Sequence, residues 1–124
     1  DLANTARYVS NATPKTIASD SATAVLSITI PASTGLWLVT GGGWFSSNSV
    51  GRRGLAISAT SGSMTGVEHS SVFYVPAVNG GVTAGSMSCL VRTTGRSRVL
   101  YLNAFQNCGQ SWTVYGHLEA VCIG

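Results

Sequence analysis

Few side chains in this sequence can do chemistry, and they are widely spaced. The carboxylates are Asp1, Asp20, Glu68 and Glu119, the imidazoles His69 and His117, and the thiols Cys89, Cys108 and Cys122. Hydrolysis of a glycoside needs two carboxyl groups flanking one bond, and Glu68 and Glu119 are the pair whose strand and loop settings could meet. A Ser-His-Asp arrangement would draw on His69 or His117 and one of many serines. Both aspartates, however, sit in the N-terminal segment, and no nucleophile-elbow sequence occurs. Zinc asks for three or four clustered ligands. Glu68 with His69, and His117 with Glu119, supply two each, and exposed or hydrogen-bonded imidazoles account for both pairs. Gly41-Gly42-Gly43 is followed by neither Lys-Ser/Thr nor a helix that could hold an anion at its N-terminus, so close strand packing is expected there. The chain is therefore expected to be no enzyme and to use no metal and no cofactor.

Recognition is better provided for. A saccharide site wants an aromatic face for the sugar ring and a few planar polar or charged groups for its hydroxyls. The longest polar stretch, residues 60–74, carries Glu68, His69 and Tyr74, and long loops on a rigid β scaffold are where recognition resides. Trp112 with Gln110, and Asn48 with Arg52 and Arg53, form two further patches. The candidate ligand-binding residues are thus Glu68, His69, Tyr74, Trp112, Asn48 and Arg52. The net charge of +3 and pI near 9.0 come from six arginines and one lysine in ones and twos, with no basic run. That is a weak basic bias and not a nucleic-acid footprint, although Arg52, Arg53, Arg92, Arg96 and Arg98 could still meet on one face. No run of 18 apolar residues offers a membrane helix, and the N-terminus lacks the build of a signal peptide. Three cysteines without a CxxC pair read as reduced, structural thiols, with Cys108 and Cys122 the pairing left open in an oxidising compartment.

The elements that must carry these groups are strands. Ala24, Leu26, Ile28 and Ile30 alternate with more polar neighbours up to Pro31, the period of a strand with one buried face. Further strands are expected over 36–45, 54–58, 71–75, 86–92, 99–105, 111–115 and 118–123, parted by Ser/Gly/Asn/Pro turns, and no stretch holds a helical period with caps. Eight to ten such strands make a sandwich, jelly roll or barrel. Charged residues are 9% of the chain and hydrophobic ones 44%. Average proteins carry roughly a quarter charged residues, so surface must be made from Ser, Thr, Asn and Gly, or be buried between subunits. Strands 36–45 and 99–105 are apolar on both faces, and a second apolar face needs a partner. Tyr101, Phe105 and Trp37 or Trp44 are the expected interface residues; the alternative is that these rings fill a thick core. One domain over 20–124 follows, with 1–19 as a connecting segment or first strand.

The run Gly35-Leu-Trp-Leu-Val39, then Phe45-Ser-Ser-Asn48, Gly51-Arg52 and Leu55-Ala-Ile57, resembles the middle strands of complement-type globular heads and TNF-like jelly rolls. Residues 99–105, Gln106-Asn107 with Gly109, 111–115 and the closing Leu118-Glu-Ala-Val-Cys-Ile-Gly124 agree in order. The version it is most similar to stands at the C-terminal ends of bacteriophage tail fibres, and the resemblance covers 20–124. It implies an all-β jelly-roll β-sandwich of two antiparallel sheets, a homotrimer, and loops at a tip that binds a host cell-surface glycan or protein. Such a domain belongs to the virion, at the tail-fibre tip, after assembly in the host cytoplasm. The calcium-holding acidic cluster of some complement-type heads has no counterpart here, and neither has a collagen-like or coiled-coil stalk. The alternative is a structural trimerisation head that caps a fibre and binds nothing; a small hydrolase comes third.

Overall fold

The computed structural model describes residues 6–10, 14–46, 51–67, 71–76 and 82–124. The described residues form nine strands: β1 (Ala6–Ser10), β2 (Lys15–Ile17), β3 (Thr23–Ile30), β4 (Thr34–Ser46), β5 (Arg52–Ser58), β6 (Val72–Pro76), β7 (Val82–Thr94), β8 (Arg98–Gln106) and β9 (Trp112–Cys122). One sheet runs β1-β9-β4-β7, with the short β2 also on β9; the other runs β3-β8-β5-β6. Every pairing is antiparallel. With β2 set aside, four strands lie in each sheet and the chain repeatedly crosses between them. This is the jelly roll.

Alternation along each strand sends one set of side chains between the sheets. Trp37, Val39, Phe45, Val91, Val114 and Leu118 come from the first sheet, and Ile28, Ile30, Leu55, Ile57, Leu100 and Leu102 from the second. All are buried, and each such side chain contributes about 1.5–3 kcal/mol. Trp37 is 0% exposed within one subunit. Its expected place in a subunit interface is therefore corrected: it fills the chain's own core.

The second apolar face of β8 is largely met within the chain. Leu100, Leu102 and Ala104 point inward, while Tyr101, Asn103 and Phe105 point out. Residues 59–67 fold back across that outer side. Asn103, itself fully buried, holds them: its Nδ2 donates to the carbonyls of Thr60 (2.9 Å) and Ser63 (2.7 Å), and its Oδ1 accepts from Gly62 N at 3.1 Å. Phe105 lies against Tyr74, so it and Tyr101 are only half-buried remnants of the expected interface.

The strands expected over 111–115 and 118–123 are one strand, β9, in which Gly116 packs so closely on Leu102 that a Cβ would stand 2.6 Å from its Cδ2. Cys108 lies just before β9 and Cys122 ends it. Eleven strand residues span roughly 35 Å, so those two thiols do not pair.

Ala6 pairs with Val121, and Leu36 N donates to Gly124 O at 3.0 Å, so both ends of the described chain lie at one end of the sandwich. The β7–β8 turn with Arg96 is there too. The opposite end carries the turns around 18–21, 51 and 107–111, bound together by Asp20 N to Gln106 O (2.8 Å) and by Gln106 Nε2 to the carbonyls of Ile17 (3.2 Å) and Gln110 (2.7 Å).

Replacing Asn103 by Ala should take from the Gly62 N–H and the Thr60 and Ser63 carbonyls their side-chain partner and release residues 59–67 from the sheet. A loss of about 1–3 kcal/mol is expected in denaturant unfolding, with proteolysis concentrating in residues 59–67.

Candidate functional site

Cross-strand partners share a face, so the pairings of β4 with β7 and β9 set out the outer side of the first sheet row by row. Leu38 stands between Leu90 and Val121, Thr40 between Ser88 and Glu119, Gly42 between Ser86 and His117, and Trp44 between Ala84 and Tyr115. Ile123 continues the first row, its N donating to Leu36 O at 2.8 Å.

The central rows form an open cleft of about 590 Å³ lined by Thr40, Gly41, Ser86, Met87, Ser88, His117 and Glu119. Thr40 Oγ1 donates to Glu119 Oε1 at 2.6 Å. His117 Nδ1 lies 2.9 Å from Oε2 and 3.2 Å from Oε1 of the same carboxylate. The imidazole can lie flat because residue 42 has no side chain. A Cβ there would stand 2.9 Å from His117 Nε2 and 2.7 Å from Gly85 O. The triple glycine thus serves close packing, of a ring as much as of backbone.

On one side of the cleft Trp44 and Tyr115 stack, with centroids 4.2 Å apart and planes 18° from parallel. On the other side Leu90 (45% exposed), Val121 (42%) and Ile123 (53%) face solvent.

A carboxylate that orients an imidazole is part of many hydrolytic sites. Here both carboxylate oxygens are engaged. The other described carboxylate, Asp20, lies at the end of the sandwich beside Gln106, so among the described residues no acid pair flanks the cleft.

The remaining expected site residues divide. Asn48, Glu68 and His69 lie outside the described residues. Trp112 is partly buried: it pairs with Ile17, its ring packs on the core, and its Nε1 is buried without a partner, so much of the expected stacking face is taken up within the chain. Tyr74 lies in strand β6, not in a loop, and Arg52 begins β5. The structure brings these two together: the Arg52 guanidinium carbon is 4.4 Å from the Tyr74 ring centroid and 5.8 Å from that of Phe105. Arg92, Arg96 and Arg98 collect at the opposite end, so the arginines do not share a face.

Sequence reasoning paired His117 with Glu119, as two zinc ligands, but missed Thr40. Spacing of two along a strand signals a shared face; Thr40, 79 positions away, joins only through strand register.

No protein-family model and no curated protein sequence matches the chain. Solved structures do. PRD1 vertex protein P5 superposes with a TM-score of 0.60 at 18% identity, covering 98% of both chains. The infectious bursal disease virus Gx strain structure superposes with a TM-score of 0.58 at 14% identity, and the VP2 subviral particle of the same virus with 0.55 at 14%. Each covers 93% of this chain, which spans 31% of those longer chains. The shared feature is the jelly roll. At these identities the likeness is one of fold.

Gly42→Ala should push a methyl group into the His117 ring and the Gly85 carbonyl. A loss of about 1–3 kcal/mol in thermal unfolding is expected, with a displaced imidazole resonance in NMR spectra.

Proposed function

We propose that the chain is a non-enzymatic recognition head carried on a virion, a homotrimer of the kind that forms a phage tail-fibre tip, binding a glycan or protein of the bacterial surface. The observation that carries this reading is the outer face of the β1-β9-β4-β7 sheet. Trp44, Leu90, Val121 and Ile123, each more than a third exposed, all fall on that one face. Apolar area in the rows on either side of the polar centre is removed from water when copies associate.

The centre of the face fits such burial. A bare carboxylate between subunits would be costly, but Glu119 already has hydrogen bonds from Thr40 and His117, and a satisfied polar group amid apolar rows favours one register of association. The viral jelly-roll neighbours support a place on a virion. The scarcity of charge supports self-association. Arginines split between the two ends give nucleic acid no continuous basic track.

Light scattering at low micromolar concentration tests it. A mass three times the 12.8 kDa of one chain is expected. Leu90→Asp and Val121→Asp should each shift the mass to that of a single chain while the β circular-dichroism spectrum is retained, because a charge is placed where apolar rows meet. A clean monomer from the unsubstituted chain overturns the proposal.

A further inference from the structure

At the end of the sandwich that carries the turns around 51 and 107–111, one guanidinium is held over an aromatic ring with no acceptor among the described residues. Gly51, at a φ of 77°, turns the chain into β5. Arg52 is then clamped by its backbone: its N donates to Asn107 Oδ1 at 2.7 Å and its O accepts from Asn107 N at 3.4 Å. Its side chain lies over Tyr74, which meets Phe105 edge-on with centroids 5.9 Å apart. The Tyr74 ring is seated against Gly54, where a Cβ would stand 2.7 Å from two ring carbons. Arg52 is exposed and Tyr74 is 41% exposed. Among the described residues, no acceptor meets the Arg52 guanidinium, no partner meets the Tyr74 hydroxyl, and no acceptor meets the Asn107 amide nitrogen. A planar cation fixed on an aromatic ring keeps its five N–H donors in a fork that matches a carboxylate or phosphate, and little rotamer freedom remains to be lost on binding.

We infer that Arg52, Tyr74 and Asn107 form a binding site for an anionic saccharide, in which the guanidinium receives a carboxylate or phosphate group of the glycan. The exposed part of the Tyr74 ring meets the adjoining sugar, and the Asn107 amide donates to a hydroxyl. This names the ligand class of the recognition head proposed above and rests on that reading, but it does not depend on how many chains associate.

The test is a printed array of bacterial surface glycans in which carboxylated and phosphorylated members stand beside neutral ones, probed with the full chain. Retained glycans are expected to be anionic. Arg52→Gln should lower their signal about tenfold or more, Arg52→Lys should fall between, and Arg96→Gln, at the other end, should change it by less than about twofold. Each variant is first shown to melt within a few degrees of the parent. Retention of neutral glycans alone, retention of no glycan, or equal losses in Arg52→Gln and Arg96→Gln would each overturn the inference. Light scattering on the same samples separates the two readings: a monomer that still takes anionic glycans through Arg52 removes the trimer and leaves this site.

Discussion

Everything on the outer face depends on the register in which β4 lies between β7 and β9. β4 pairs along its thirteen residues with β7 and along nine with β9, and antiparallel pairing lets no residue change face without its neighbours changing too. A slip of one place would bring Leu38 and Thr40 inward and turn Trp37 and Val39 out. The cost of exposing Trp37 and Val39 makes that register specific, so the core determines which polar groups meet over Gly42. Thr40, His117 and Glu119 are neighbours because Trp37, Val39, Leu118 and Ala120 are buried.

The same logic separates the two sides of the molecule. Both sheets present outer faces with apolar residues, but the chain treats them differently. Residues 59–67 lie across the β8 side of the second sheet and are fastened to Asn103, whereas among the described residues nothing comparable lies over Leu90 and Val121. One face is partly covered within the subunit, with Val99 and Tyr74 still exposed, and the other keeps, among the described residues, apolar rows on either side of a satisfied polar centre. The difference turns on a single buried amide with three partners.

Strand positions were largely legible because each strand carries its own alternation: β3, β4, β5 and β8 fall within a residue or two of expectation. The reading of β9 as two strands failed at Gly116, since glycine is both a turn residue and the residue that admits Leu102. Trp37 was misassigned because apolar residues on both faces do not show which face is covered, and the cover is non-local. The candidate sites were legible only as fragments. Arg52 and Tyr74 belonged to separate patches until β5 and β6 were paired, and Thr40 bears no mark of its link to Glu119. Trp112 looked like a surface aromatic because its neighbours Gln110 and Ser111 are polar, yet its partner across the sheet is Ile17.

The groups that tie the loops to the sandwich are also the ones least sensitive to their surroundings. Asn103 holds residues 59–67 and Gln106 gathers the turns beside β2 and β9, accepting from Cys108 N at 2.8 Å as well as donating to Ile17 and Gln110. Both amides are fully buried, and neither gains or loses a proton in water. A scaffold fastened by carboxylate and ammonium pairs loosens as acidity or ionic strength changes. Buried amides carry no charge to titrate or screen, so these turns are expected to hold through changes of acidity and salt that would loosen ion pairs.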